Sequence, residues 1–144
     1  MTSLSTAVQS GCLTTPDRVV GKIEAVPCAA AGEFRHVFEA ASARWRQGVW
    51  LATDGLLRVG DSESPQIVLW QDTAPTTVPL QVVSTDGLLR LYNVWDSGRG
   101  RTLESQSATS GMLREEIPTG WRYRCSDIAP DPTFNALVFR LDRI

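Results

Sequence analysis

The run Asp96-Ser97-Gly98-Arg99-Gly100-Arg101 carries the most suggestive chemistry in the chain. Two guanidinium groups can each grip a carboxylate or phosphate with paired N–H donors. The intervening glycines let the backbone come close to a ligand. The run opens a long polar segment, residues 96–111, which reads as a flap or anion-binding loop, with a plain solvated loop as the alternative. No Gly-Lys-Ser/Thr follows, so this is not a nucleotide-binding P-loop.

Nucleophilic catalysis has a thinner basis. His36 is the only histidine, and a triad needs a nucleophile and an orienting acid beside it. Cys125 and Asp127 are the partners that the spacing offers. Cys125 alternates with Trp121 and Tyr123, however, on what reads as the inward face of a strand, where a thiol acts as a small inert hydrophobe. The carboxylates Asp54, Asp86, Asp96, Glu115, Glu116 and Asp127 match no calcium loop. Glu115 and Glu116 adjoin, so on a strand they point to opposite faces and cannot act as a pair.

Cys12, Cys28 and Cys125 are widely spaced and odd in number, so neither a zinc site nor a thioredoxin motif is indicated, and scattered thiols suit a reducing compartment. The expectation is no catalytic set, no metal and no cofactor.

Five tryptophans and two tyrosines are many for 144 residues. They read either as core or as the lining of an aromatic cavity of the kind that small barrels offer to ligands. The basic residues are thirteen arginines and one lysine, Lys22. That bias reads as a GC-rich, bacterial coding background, or as planar donors placed for anions. Arg58, Arg90, Arg122 and Arg124 form an outward stripe if their strands adjoin, or else pair singly with surface acids.

These groups must be positioned by strands. The hexapeptide Thr-Asp-Gly-Leu-Leu-Arg occurs twice, at 53–58 and 85–90. Asp-Gly favours a two-residue type I′ turn, so each copy reads as a hairpin. In such a hairpin Ala52 faces Leu57 and Trp50 faces Val59. Trp50, Ala52, Leu57 and Val59 then share the core face, and Leu51, Thr53, Leu56 and Arg58 the other. In the second copy Val82, Ser84, Leu89 and Leu91 point inward, and Asn93 and Trp95 follow them. A buried Asn93 amide needs a partner. A third copy is absent, which argues against a propeller or solenoid.

Further strands are expected at 19–26, ended by Pro27, and at 66–70. Two more are expected at 121–125, with 112–117 as hairpin partner, and around Leu137, Phe139 and Leu141. Phe34, Val37, Phe38, Ala41 and Trp45 fall at helical spacing, which predicts a short helix over 33–43, with a strand through Arg35–Glu39 as the rival reading.

Residues 1–17 read as a flexible arm and 18–144 as one domain. The predicted fold is mainly β, a small antiparallel β-barrel or β-sandwich of about eight strands. Apolar residues make up 42%, charged residues 21%, and the net charge is −2. Neither nucleic acid nor a membrane is therefore the expected partner. No signal-like segment or stretch of about 18 apolar residues occurs, so a cytoplasmic monomer or homodimer is expected.

The leading functional expectation is a non-enzymatic binding module for a small molecule at the barrel mouth beside 96–111. Asn93, Trp95, Asp96, Arg99, Arg101, Trp50 and Tyr123 are its candidate site residues. The alternatives are a small hydrolase or isomerase using Asp96, Glu115 or Asp127 as acid/base in the same cavity, and an inhibitor or immunity-type protein that binds a protein partner.

Overall fold

The computed structural model describes residues 13–15, 18–42, 44–84, 86–101, 103–107, 109–128 and 134–144. Among these are eleven strands and no helix. They are β1 (Leu13–Thr15), β2 (Arg18–Val20), β3 (Glu24–Pro27), β4 (Ala31–Ala41), β5 (Arg46–Val59), β6 (Ser62–Trp70), β7 (Thr77–Val83), β8 (Leu88–Asp96), β9 (Gly111–Ile117), β10 (Gly120–Ser126) and β11 (Leu137–Arg143). Of the expected N-terminal arm, residues 1–12, 16 and 17 lie outside the described residues. β1 pairs with β2. The other nine strands form one antiparallel sheet in the order β3-β8-β5-β7-β4-β11-β10-β9, with β6 against β5. The sheet curls into a half-barrel.

Its pairings reduce to a few long bent tracks. β6 holds one edge of β5 from Gly48 to Val59. The other edge takes β8 along residues 46–52 and β7 along 56–58, so β7 and β8 lie end to end. β3 and β4 lie end to end in the same way along β8 and β7. Across the bend the ladder continues through Cys28 N–H to the Gly87 carbonyl (2.9 Å) and Ser84 N–H to the Ala30 carbonyl (3.0 Å).

The repeat sits on this bend, and neither copy is the predicted hairpin. β5 runs straight through Asp54-Gly55 and reverses only at Gly60-Asp61, where Gly60 has φ of 57°. β7 and β8 run on along β5 instead of folding back on each other. Gly55 is used for close approach: a Cβ there would stand 1.9 Å from the Val83 carbonyl oxygen.

The corrected turn also corrects a face. A two-residue hairpin places residues of opposite parity on one side, whereas a continuous strand keeps parity. Leu57 is buried as expected, but its companions are Val49, Leu51 and Thr53. Trp50 and Ala52 point outward. In the second copy Val82, Ser84, Leu89 and Leu91 are all buried, as their alternation predicts.

The helix expected over 33–43 is strand β4. Phe34, His36 and Phe38 alternate toward the core. Phe139 pairs with Phe38 and Val138 with Ala40, which leaves Glu39 as the extra residue of a bulge. That bulge, with Val37 buried on the opposite face, mimics a helical period. Hydrogen bonding to β11 on one edge and β7 on the other outweighs the helix propensity of the alanines.

The β9–β10 hairpin and the inward Trp121, Tyr123 and Cys125 follow the sequence pattern, as do Leu137, Phe139 and Leu141. The expected strand 66–70 extends back to Ser62, and that at 19–26 divides into β2 and β3. The curl brings β9 against Gly21, where Gly21 and Met112 exchange N–H···O bonds of 2.9 and 2.8 Å. One apolar cluster fills the concave side, with Leu51, Leu89, Leu91, Tyr123, Phe139 and Leu141 fully buried.

Candidate functional site

Strand parity divides the residues singled out by sequence into two sets. Asn93, Trp95 and Tyr123 point inward and are buried. The Asn93 amide finds its partner in a backbone group, donating from Nδ2 to the Ser126 carbonyl at 2.8 Å. Trp95 exchanges backbone hydrogen bonds with Glu104 of the following loop, while its indole Nε1 has no partner among the described residues. Burial pushes the Tyr123 phenol well above its ordinary range, and the neighbouring Glu24 carboxylate adds to this. These three side chains are part of the packed interior.

The second set lies on the outer face of β8, β5 and β6. Tyr92, Trp50 and Val68 share one rung. Trp50 and Tyr92 stack at 4.4 Å between ring centroids with 16° between planes, both half-buried. Two residues along β5, Gly48 lacks the Cβ that would collide with the Trp70 ring, at 2.8 Å from its Cε3. The Arg46 guanidinium lies 4.3 Å over that ring and is tied to Asp72 at 2.8 Å. Asp96 occupies the rung opposite Arg46. The result is a row of aromatic faces edged by charge. It suits a ligand with a flat apolar surface, because ring faces attract such surfaces and cations alike.

Segment 96–111 borders this face and is tightly tied to the body. Glu104 is buried at its centre. It accepts from the Ser97 N–H at 2.7 Å and from the Ser97 hydroxyl, and it pairs with Arg99. Those bonds, Arg99 first, hold its pKa down at about 2. Lys22 donates to the Ser107 and Ser110 carbonyls, and Thr109 donates to the Asp127 carbonyl at 3.0 Å. Burial raises the Tyr92 phenol, and the Ser105 side chain works against that shift, which sets the loop beside the aromatic row. Arg99 is thus engaged by Glu104, and Arg101 is exposed.

His36, Cys125 and Asp127, the residues the spacing offered for a triad, are all buried. His36 is fully buried between Phe38 (4.6 Å) and Phe139 (5.0 Å), and among the described residues neither ring nitrogen has a hydrogen-bond partner. Desolvation drops its pKa to about 3. Burial also raises the Cys125 thiol well above its usual range. The Asp127 carboxylate accepts from Gln47 Nε2 at 2.9 Å. No cluster of metal-ligating side chains occurs among the described residues. Among them too, no helix is long and apolar enough to cross a membrane.

Each arginine of the expected stripe meets an acid. Arg58 pairs with Glu63, Arg90 with Asp86, Arg122 with Glu39 and Arg124 with Glu115. Elsewhere, an open cleft of about 460 Å³ lies between Pro27–Phe34 and Arg143–Ile144, with the half-buried Cys28 in its wall.

Sequence reasoning passed over Tyr92, Trp70 and Arg46. Tyr92 and Trp70 alternate with inward residues and could have been placed outside had the β8–β5–β6 pairing been known. Nothing in the sequence marked Glu104 as the anchor of its loop. No protein-family model, curated protein or solved structure matches this chain.

Proposed function

We propose that the protein is a non-enzymatic binding module whose small-molecule ligand lies on the outer aromatic face beside segment 96–111. The observation that carries this reading is the half-exposed Trp50–Tyr92 stack on the outer face, with Ser105 of the loop acting on the Tyr92 hydroxyl. A ligand with a planar or pyranose face stacks on the rings. Asp96 and Arg101 supply polar contacts at the border. The filled interior, with Trp95, Tyr123 and Phe139 fully buried, directs the ligand to this outer side.

The test is a thermal-shift and tryptophan-fluorescence titration with aryl glycosides, oligosaccharides and planar aromatic acids. A binder should raise the melting temperature by mass action. Trp50→Ala, Tyr92→Ala or deletion of 98–109 should abolish the shift while leaving the fold intact. If none of these compounds shifts the wild type, or if Trp50→Ala still binds, the assignment is wrong.

The 460 Å³ cleft favours a second location, since small-ligand pockets begin at roughly 300 Å³. Binding that survives Trp50→Ala and is lost on Arg143→Ala would move the site there.

A further inference from the structure

The outer edge of β6 is built to pair with another strand. Among the described residues β6 has one neighbour, β5. The direction of its backbone groups follows from one bond. Gln71 N–H donates to the Gln47 carbonyl at 2.8 Å, so residues 71, 69 and 67 face β5 and residues 66, 68 and 70 face away. The other edge of β5 agrees. Trp95 turns its N–H and C=O toward Glu104, so in that strand residues 92, 94 and 96 face β5. Val68 thus presents N–H and C=O, Gln66 its C=O and Trp70 its N–H, along an edge with no partner strand among the described residues, while the Gln66 N–H donates to the Ser64 hydroxyl at 3.4 Å. The Trp70 carbonyl is already taken by the turn, accepting from the Thr73 N–H at 3.2 Å and the Ala74 N–H at 2.8 Å.

Soluble proteins usually blunt such an edge with charge, proline or a bulge. Ser64 to Gln71 contains no charged side chain. Its proline, Pro65, falls where β5 bulges: residues 66–70 pair with 52–48 and 62–64 with 59–57, leaving Pro65 opposite the extra residues 53–56. The missing N–H therefore coincides with a break in the ladder and does not block the stretch 66–70. Ile67 and Val68 are β-branched and Trp70 is aromatic, and Leu69 is already part of the core.

We infer that β6 pairs antiparallel with β6 of a second copy of this chain, with the twofold axis at Val68. The edge is self-complementary in that register. Val68 meets Val68 of the partner, and Gln66 meets Trp70 on either side. The Val68 pair and the two Trp70 N–H to Gln66 carbonyl contacts give about four backbone hydrogen bonds. Asp72 comes opposite a Ser64 hydroxyl, and no like charges oppose each other. An acidic or basic peptide strand would find no countercharge along this edge, which favours the self-pairing. The twofold leaves the outer face outward in both copies, so the row Tyr92–Trp50–Val68 continues into its symmetry mate. This inference does not depend on the ligand assignment.

The test uses the full chain in analytical ultracentrifugation up to about 100 µM, a range that detects micromolar dimers. The wild type should be a dimer at the upper end and dissociate on dilution. Val68→Pro removes a donor that faces away from β5, and Val68→Lys places two cations on the axis. Both should sediment as monomers with unchanged far-UV circular dichroism. Val68→Cys should form an intermolecular disulfide on mild oxidation where the wild type does not, because facing residues of a hydrogen-bonded pair have Cα atoms about 5.5 Å apart. A wild type that stays monomeric throughout overturns the inference. So does a dimer that persists in both Val68→Lys and Val68→Pro, or a Val68→Cys variant that fails to cross-link.

Discussion

Asp54 and Asp86 occupy the same position in two copies of one hexapeptide, and their carboxylates converge on one hydroxyl. Ser84 Oγ lies 2.9 Å from Asp54 Oδ1 and 3.0 Å from Asp86 Oδ1. The other Asp54 oxygen accepts the Asp86 N–H at 3.0 Å, and Ser84 Oγ accepts the Gly87 N–H at 3.1 Å. The first copy therefore caps the loop of the second. The resemblance between the copies is local, and their roles differ: one is a bulge in a continuous strand and the other a break between two strands.

Removing the shared hydroxyl should be costly. Ser84 is buried, and Ser84→Ala removes the one O–H proton the two carboxylates share and the acceptor of the Gly87 N–H. A loss of about 1–3 kcal/mol is expected in urea unfolding. Ser84→Ala and Asp54→Ala together should cost less than the sum of the singles, since each breaks the same bond. Strict additivity would show that the two groups do not share it.

Two glycines should respond in the order opposite to that expected of a hairpin. Gly55→Ala drives a methyl group to 1.9 Å from the Val83 carbonyl oxygen, so a loss of roughly 3 kcal/mol or more is expected. Gly60→Ala meets open space and keeps only the backbone strain of φ 57°, about 1–2 kcal/mol. Equal losses in thermal unfolding would contradict the close approach at Gly55.

Acid should destabilise the fold through His36. Its folded pKa of about 3 lies below the unfolded value of 6.5. Between these values the unfolded chain binds the extra proton, so stability falls as pH drops through 6.5 and the loss is complete near 3. The limit is roughly 4 to 5 kcal/mol. His36→Phe, set between Phe38 and Phe139, should remove this slope. The difference between wild type and variant from pH 7 to 4 isolates it from the carboxylates, and a flat difference would mean that His36 gains a proton partner in the fold.

The loop anchor can be read by hydrogen exchange. Glu104→Gln removes the ion pair with Arg99 and weakens the bond from the Ser97 N–H. Amides around 97–104 should exchange about ten-fold faster or more, with the core unchanged. Because the folded Glu104 pKa is depressed to about 2, the wild-type anchoring is full above the unfolded carboxylate range and fades as pH falls through 2. Unaltered protection in the variant would place the anchor elsewhere, at the Lys22 contacts.

Much of the fold was legible because strand alternation is a local signal. Trp121, Tyr123, Cys125, Leu137, Phe139 and Leu141 could be placed inside from period two alone, and so could Asn93 and Trp95. The β9–β10 hairpin followed from Pro118-Thr119-Gly120. What misled was every place where a local signal had two solutions. Asp-Gly can turn a chain or merely let another strand come close. Phe34, Val37 and Phe38 can belong to a helix or to a bulged strand.

Sequence by itself determined a mainly β chain, several of its strands and many of its buried faces, because backbone pleating ties side-chain direction to residue parity. Only the tertiary structure decided that β5 passes unbroken through Asp54-Gly55, since that depends on the Val83 carbonyl and the Asp86 N–H arriving from 30 residues away. That continuity turned Trp50 from the core to the outer face, beside Tyr92 and Trp70. The candidate site is thus a product of strand pairing, and pairing is a long-range contact that no window of sequence contains.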